Sequence, residues 1–135
     1  MKIALVSPYD LSYPGGVTVH VSNLARYFAQ WGHNVKIIAP CSSPVDRANI
    51  VPIGRPVPVP SGGSTARIAL SLTVPARVRA VLNAEQFDVV HIHEPLTPML
   101  GTEALRLSHS LNVGTFHAYH DRARGYVLSK LILRH

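Results

Sequence analysis

Residues 2–39 alternate a strand pattern, a helix pattern and a second strand pattern, and this order restricts the fold more than any other feature. Lys2–Val6 is an apolar run typical of a buried parallel strand. Asn34–Ala39 is a second strand pattern, stopped by Pro40. Between them an apolar stripe has the spacing of an amphipathic helix and ends at Gly32; its members are Val17, Val21, Leu24, Ala25 and Phe28. Strand, helix and strand in this order predict a right-handed crossover between parallel strands.

The alternation resumes after a long irregular segment. Residues 41–63 are rich in proline, glycine and serine, which predicts a loop with one or two short strands, such as residues 56–60, and a flexible turn at 61–64. Thr73 is then expected to cap a helix that has Pro75 in its first turn. The buried stripe of that helix is Val74, Val78, Val81 and Leu82.

Two more strand patterns and a helix pattern follow. Residues 87–93 are one strand pattern, and residues 112–116 are another that places His117 at its carboxyl end. A helical pattern also covers residues 121–135. The helix between the two strands has an apolar face made by Leu100, Ala104, Leu107 and Leu111. The sequence therefore predicts an α/β domain with a Rossmann-like, doubly wound, mainly parallel sheet.

Three loops fall at the carboxyl edge of this predicted sheet, where such folds bind ligands: residues 7–16, 93–95 and 117–121. Gly15 and Gly16 join the first strand to its helix, and there a missing Cβ and a positive helix end suit a phosphate. The same glycines also fit a tight turn that binds no ligand. The convergence of the three loops favours the ligand site.

Composition limits the class of protein. With 135 residues, 47% of them hydrophobic and 15% charged, the chain is expected to form one globular domain. Its one cysteine, Cys41, rules out an internal disulfide. A leader pattern and a long apolar span are both missing from the sequence, which predicts a cytoplasmic protein.

The net charge of +6 is distributed unevenly. No acid lies between Asp46 and Glu85, whereas five arginines do: Arg47, Arg55, Arg67, Arg77 and Arg79. Such a face binds phosphates or anionic lipid, or it is simply solvated. Nucleic acid is disfavoured as a partner because few aromatic residues interleave with the basic ones.

Several common chemistries do not fit these loops. A nicotinamide dehydrogenase spaces its glycines as G-x-G-x-x-G and places an acid after the second strand. Here Gly15 and Gly16 are adjacent, and the second strand ends at Ala39 without a carboxylate. A P-loop fits less well still, because no lysine follows Gly16.

Histidines at the strand ends allow more than one role. His91 and His93 are two residues apart on a strand, so their side chains face the same side of it. A metal site there would need a further ligand such as His117 or His120. Histidines satisfied by hydrogen bonds are the favoured interpretation, above all for His91. His93 and Glu94 lie nearer the cleft. His117 either orients a hydroxyl and stabilises developing charge, or is structural.

An ordered set of segments carries a family resemblance over nearly the whole chain. The segments are Ser7-Pro8-Tyr9, Tyr13-Pro14-Gly15-Gly16-Val17, His20-Val21, Gly32-His33-Asn34-Val35, residues 87–95 and Thr115-Phe116-His117. Together they resemble the amino-terminal half of the family-four retaining glycosyltransferases. Gly63-Ser64-Thr65-Ala66-Arg67 and the helix with Arg77 and Arg79 resemble the bacterial phosphatidylinositol mannosyltransferases within that family.

The resemblance implies a GT-B fold, in which the active site lies between two Rossmann-like domains and the amino-terminal domain binds the acceptor. It implies that Gly15 and Gly16 bind the donor diphosphate and that His117 is the catalytic residue, contacting the transferred sugar. The implied acceptor-binding residues are Tyr9, Pro14, Arg67, His93 and Glu94. Arg77 and Arg79 would face an anionic membrane, on the inner face of the plasma membrane. No metal or other cofactor is expected, and the donor is a nucleotide-sugar such as GDP-mannose or a UDP-sugar.

Length qualifies the expected activity. At about 150 residues per domain, only one domain fits into 135 residues, so residues 1–135 are expected to be a truncated acceptor-binding domain without the carboxyl-terminal donor domain. The chain is expected to be the amino-terminal part of a transferase that moves a sugar, such as mannose, from a nucleotide-sugar to a lipid or sugar-phosphate acceptor. By itself this part is expected to be inactive. The alternative is a non-catalytic module that binds an anionic lipid or sugar phosphate.

Overall fold

The computed structural model describes residues 1–45, 48–61 and 63–117. This part of the chain contains seven strands and three helices. In chain order they are β1 (Lys2–Val6), α1 (Gly16–Gln30), β2 (Asn34–Ala39), β3 (Ile50–Pro52), β4 (Pro56–Ser61), β5 (Ser64–Ala69), α2 (Val74–Glu85), β6 (Val89–His93), α3 (Leu100–Leu107) and β7 (Leu111–Thr115). The helical pattern at residues 121–135 lies outside the described residues.

Five strands form one parallel sheet in the order β3-β2-β1-β6-β7. From β1 the chain proceeds outward through β2 to β3 and then returns to the other side of β1, where β6 pairs with it. This reversal opens a crevice at the carboxyl ends of β1 and β6, which is the usual ligand site of such sheets.

Helices cover both faces of the sheet, because successive residues of β1 point to opposite sides. Ile3 and Leu5 pack in a buried cluster with Val21 and Ala25 of α1. Ala4 and Val6 belong to a second cluster on the other face. That cluster includes Val74, Val78 and Leu82 of α2 and Leu100 and Ala104 of α3. The predicted doubly wound, mainly parallel α/β fold is confirmed.

A second sheet is an antiparallel hairpin of β4 and β5, in which Pro56 pairs with Ala69 and Ser61 with Ser64. The short strand at residues 56–60 is confirmed, but β5 was not predicted. Alternate residues of a strand point their N–H groups away from the partner, so the prolines at every second position of β4 do not interrupt pairing. The hairpin contacts the loop after β1 through a bridge between Tyr9 and Ile68 and a 2.9 Å hydrogen bond from Asp10 N to Arg67 O.

Two local expectations were wrong. Leu111 does not extend the apolar face of α3: the helix ends at Leu107, and Leu111 begins β7 with two thirds of its surface exposed. Thr73 precedes α2 but makes no side-chain capping bond; its hydroxyl pairs with the Ser71 hydroxyl at 2.9 Å. Within the described ranges, none of the helices is both long enough and apolar enough to cross a bilayer.

Candidate functional site

A cavity of about 460 Å³ lies at the carboxyl edge of the sheet, between the start of α1, the β4–β5 hairpin and the ends of β6 and β7. Seven residues singled out in the sequence line this one cavity: Tyr9, Pro14, Gly15, Gly16, Arg67, Glu94 and His117. Since they come from four separate segments of the chain, the cavity is the place where these segments meet.

The glycine turn forms the wall at the start of α1. Gly15 precedes the helix in an extended conformation that any residue adopts (φ −173°), and the first helical hydrogen bond joins Val19 N to its carbonyl at 2.9 Å. A Cβ built on Gly16 meets no atom within 4 Å among the described residues. The first turn of α1, which is described in full, contains no acidic residue and no side-chain cap. Its N–H groups are therefore available to an anionic ligand.

Arg67 lies on β5 and brings a positive charge to the cavity lining. Its guanidinium carbon lies 4.3 Å from the centroid of the Tyr13 ring, in a cation–π contact. The backbone bond from Asp10 N to Arg67 O fixes the hairpin against the loop after β1. The cavity is thus lined both by the Arg67 guanidinium, which Tyr13 orients, and by the amino terminus of α1, a combination suited to phosphate.

Carboxylates complete the polar lining. Asp10 is 2% exposed and its Oδ1 accepts the N–H groups of Ser12 and Ser42, each at 3.0 Å. Its Oδ2 is buried and has no hydrogen-bond partner within the described ranges. Glu94 has a left-handed backbone (φ 51°), and its Oε1 accepts the backbone N–H of His117. Carboxylate oxygens of this kind accept hydrogen bonds from sugar hydroxyls.

Glu94 and His117 are held together by the register of two strands. His93 pairs with Thr115 across β6 and β7, and Glu94 N donates to Thr115 O at 2.7 Å. The side chain of Glu94 then binds the backbone of the residue two positions beyond Thr115. The loop after β6 and the loop after β7 therefore act as one unit at the cavity.

Four imidazoles cluster at this unit, and His117 is one of them. His93 is fully buried, and its Nδ1 lies 2.8 Å from His117 Nε2, a hydrogen bond that joins the two rings. The ring of His91 stacks on that of His93 with centroids 4.4 Å apart, and its Nε2 hydrogen-bonds Thr115 Oγ1 at 2.7 Å. His20 lies edge-on to both His93 and His117, with centroids 5.6 and 5.1 Å away.

The environment favours the neutral form of three of these imidazoles, those of His91, His93 and His117. Burial, followed by the neighbouring His91, His117 and His20, lowers the pKa of His93 to about 3. Burial is also the main cause that lowers the pKa of His91 and of His117, and His20 adds to both effects. A neutral imidazole donates one hydrogen bond and accepts one, so His117 can present either function to the cavity.

Three residues with predicted roles lie outside the lining. His93 is beneath the cavity and contacts His117 instead. Arg77 and Arg79 are exposed on α2, and Arg77 donates to Pro52 O at 2.8 Å. Sequence reasoning assigned no role to Asp10, Tyr13 or His20. His20 could have been found, because it lies four residues after Gly16, one helical turn from the carboxyl edge.

Comparisons with known proteins identify the family of this chain. Residues 14–135 match the profile of Glycosyltransferase Family 4. A phosphatidyl-myo-inositol mannosyltransferase of Mycobacterium leprae is 42% identical over 118 residues, which are 87% of this chain and 32% of that protein. Proteins of the same name from two other species are also similar. That of Mycolicibacterium smegmatis is 39% identical over 118 residues, which are 87% of this chain and 31% of that protein. That of Mycobacterium tuberculosis is 36% identical over 135 residues, which are 99% of this chain and 36% of that protein. This chain spans about a third of the length of these relatives. Because the profile covers nearly all of its residues, the chain belongs to glycosyltransferase family 4.

Proposed function

We propose that this chain is the acceptor-binding part of a retaining glycosyltransferase that moves a sugar from a nucleotide-sugar to a lipid or sugar-phosphate acceptor. The observation that carries the proposal is the cavity in which a glycine turn at a helix start, Arg67 and His117 converge. Mannose is the proposed sugar and GDP-mannose the proposed donor, because the similar relatives are mannosyltransferases by name.

On the acceptor side, Arg67 would bind the phosphate, since its guanidinium presents a fixed fork of donors and is already oriented by Tyr13. Tyr9 and Pro14 would form the wall beside the acceptor ring. Glu94 would accept a hydrogen bond from an acceptor hydroxyl. His93 would act through His117, whose ring it holds by a hydrogen bond.

On the donor side, the N–H groups at Gly15 and Gly16 would bind the diphosphate at the start of α1. His117 would contact the transferred sugar near the reacting carbon. The bond from that carbon to the diphosphate breaks while a bond to the acceptor oxygen forms on the same face, which retains configuration. The departing diphosphate takes the acceptor proton, so the proposed step uses no metal ion.

The place of action follows from the acceptor. A lipid acceptor with a phosphate headgroup lies at a membrane surface, and Arg77 and Arg79 are exposed on α2. We propose that the protein is cytoplasmic and contacts the inner face of the plasma membrane peripherally. Because the relatives are about three times as long, transfer is proposed to need residues beyond these 135.

Binding of a soluble headgroup tests the proposal. Glycerophosphoinositol, titrated calorimetrically into the 135-residue chain, is expected to bind, and Arg67→Ala is expected to weaken binding about tenfold or more because a charge-assisted hydrogen bond is lost. Arg79→Ala removes an arginine outside the cavity and should bind as the unmodified chain does. Equal losses in both variants would contradict a phosphate site at Arg67.

The same preparation tests the proposed inactivity. Incubation with GDP-mannose and the headgroup should release no nucleoside diphosphate above the blank. Release by the 135 residues alone would show that they hold a complete active site. If the headgroup binds but a full-length chain carrying these residues transfers no sugar, the non-catalytic binding module is the better description.

A further inference from the structure

We propose that His20, His93 and His117 form a binding site for one divalent transition-metal ion of the zinc class. The three residues come from α1, the end of β6 and the segment after β7. One ligand atom from each lies within 4.8 Å of those of the other two. No role in the proposed transfer requires this convergence, because His20 is absent from the cavity lining.

The distances are close to those of a bound ion. Nitrogen ligands about 2.0–2.1 Å from a tetrahedral zinc ion lie about 3.4 Å from one another. His93 Nδ1 and His117 Nε2 are already 2.8 Å apart, so an ion would replace the proton that they share. His20 and His117 are exposed, whereas His93 is buried, so small rotations of the two exposed rings can complete the site around the fixed one.

The packing of the rings and the chemistry of their nitrogens suit a metal ion. The three imidazoles are packed against one another, and among the described residues His93 Nε2 is buried without a hydrogen-bond partner. Neutral imidazole is the form that binds metal, and an all-nitrogen set suits zinc, copper or nickel rather than magnesium or calcium.

An ion at this place would affect the cavity, because His117 belongs to both. Its Nε2 would be committed to the metal, and three protein ligands leave a coordination position for water or an anion. The bound ion would therefore compete with the sugar contact of His117 and act as a reversible inhibitor. This consequence rests on the proposed function, whereas binding of the ion does not.

Zinc titration of the whole 135-residue chain tests the site. His120→Ala/His135→Ala serves as the parent, which keeps histidines outside the described residues from contributing. Isothermal titration with zinc chloride should show one ion per chain, and cobalt chloride should give the absorption of a tetrahedral site. His20→Ala, and separately His117→Ala, should weaken zinc binding by more than about tenfold.

Matched controls remove histidines that lie elsewhere on the surface. His33→Ala and His109→Ala should leave zinc affinity unchanged, since neither belongs to the trio. His20 and His117 are exposed, so both variants should fold, and circular dichroism checks this. No saturable binding by the parent, or unchanged affinity in His20→Ala, would overturn the site. Zinc binding that depends on His20 in a chain that binds no glycerophosphoinositol would leave the site standing and refute the proposed function.

Discussion

The surroundings of Gly16 indicate whether the fold or a ligand requires a glycine at this position. A glycine demanded by the backbone has a positive φ or a neighbour that a Cβ would strike, as Gly54 has with φ 79° and the Ala69 Cβ at 2.5 Å. At Gly16 an added Cβ meets no described atom within 4 Å. The space beside it opens into the cavity, so a methyl group there would occupy the volume proposed for the donor diphosphate.

We therefore expect Gly16→Ala to weaken pyrophosphate binding about tenfold, which corresponds to losing a hydrogen bond to a charged ligand. Its free energy of unfolding should stay within about 0.5 kcal/mol of the unmodified chain, as alanine suits a first helical position. Chemical-shift titration and urea denaturation measure the two quantities. A stability loss equal to that of Gly54→Ala would instead assign Gly16 to the fold.

At this scale the sequence predicted seven of the residues that line the cavity but not the contacts between side chains. Gly15, Gly16 and His117 follow strands, and the edge on which they lie is dictated by parallel topology. The trio of His20, His93 and His117 depends on the rotation of α1 about its axis and on the register of β6 with β7. Neither quantity follows from periodicity.

Among the elements, α3 fixes the loop that carries Glu94. A Cβ built on Gly101 would lie 2.7 Å from Glu94 O and 3.3 Å from Pro95 O, so the helix approaches the backbone of this loop closely. Glu94 in turn binds the backbone of His117. The position of α3 thus influences two loops of the cavity, although none of its residues lines it.

Gly101→Ala is expected to destabilise the fold by about 1–3 kcal/mol, because backbone atoms must move to admit the methyl group. Glycerophosphoinositol binding should weaken as well, since the loop carrying Glu94 is displaced. Gly114→Ala is the matched control: its Cβ would meet only the Pro95 ring, at 3.4 Å. Unfolding curves and calorimetry compare the two, and similar losses in both would rule out a specific role of the α3 contact.

A second link joins α2 to the sheet. Glu85, the last residue of α2, binds Lys2 Nζ of β1 at 2.7 Å and Lys36 Nζ of β2 at 2.5 Å. Lys2 first and then Lys36 lower the pKa of this carboxyl from its ordinary value of 4.5. The stabilisation is therefore fully present above pH 4.5 and is lost as the pH falls through the lower folded pKa.

Glu85→Gln should accordingly reduce the free energy of unfolding at neutral pH by less than about 1 kcal/mol, the range of exposed ion pairs. The difference from the unmodified chain should shrink as the pH falls below 4.5. Urea denaturation across this range measures it. Glu103→Gln, which breaks a pair with Arg106 inside α3, should cost less, and a difference that grows in acid would contradict the assignment.

The boundaries of helices and strands were predictable where the spacing of apolar residues was clear. The prediction was wrong where a helix pattern met a strand pattern. The α1 stripe and β2 were placed correctly, since each has an unbroken pattern between a glycine and a proline. Leu111 fits the spacing of α3, but that helix ends at Leu107. Leu111 instead begins β7, where it pairs with Val89 of β6. β5 was missed because its pairing with a proline-rich strand has no local signal.

At the scale of the whole molecule, the basic residues proposed to bind anions lie in two different places, the cavity and the exposed surface of α2. Arg67 is inside the cavity, where it would bind one phosphate. Arg77 and Arg79 are exposed on α2, on the two flanks of the buried stripe formed by Val74, Val78 and Leu82. A net charge of +6 attracts the entire protein to an anionic surface, so the net charge and the specific face must be separated experimentally.

Two double variants with reversed charges distinguish the effect of the net charge from that of the arginines on α2. Arg77→Glu/Arg79→Glu should lower partitioning onto vesicles rich in phosphatidylglycerol about tenfold or more, because each basic residue near such a surface contributes about 1 kcal/mol. Arg26→Glu/Arg106→Glu changes the net charge equally but alters α1, where Arg26 stacks on Tyr27, and α3, where Arg106 pairs with Glu103. Flotation measures both doubles, with phosphatidylcholine vesicles as the neutral surface. If α2 faces the membrane, the first double variant loses more binding than the second, and the binding that the second retains falls with added salt as screening predicts. Equal losses would mean that the net charge alone draws the protein to lipid, and α2 would then be a solvated basic face.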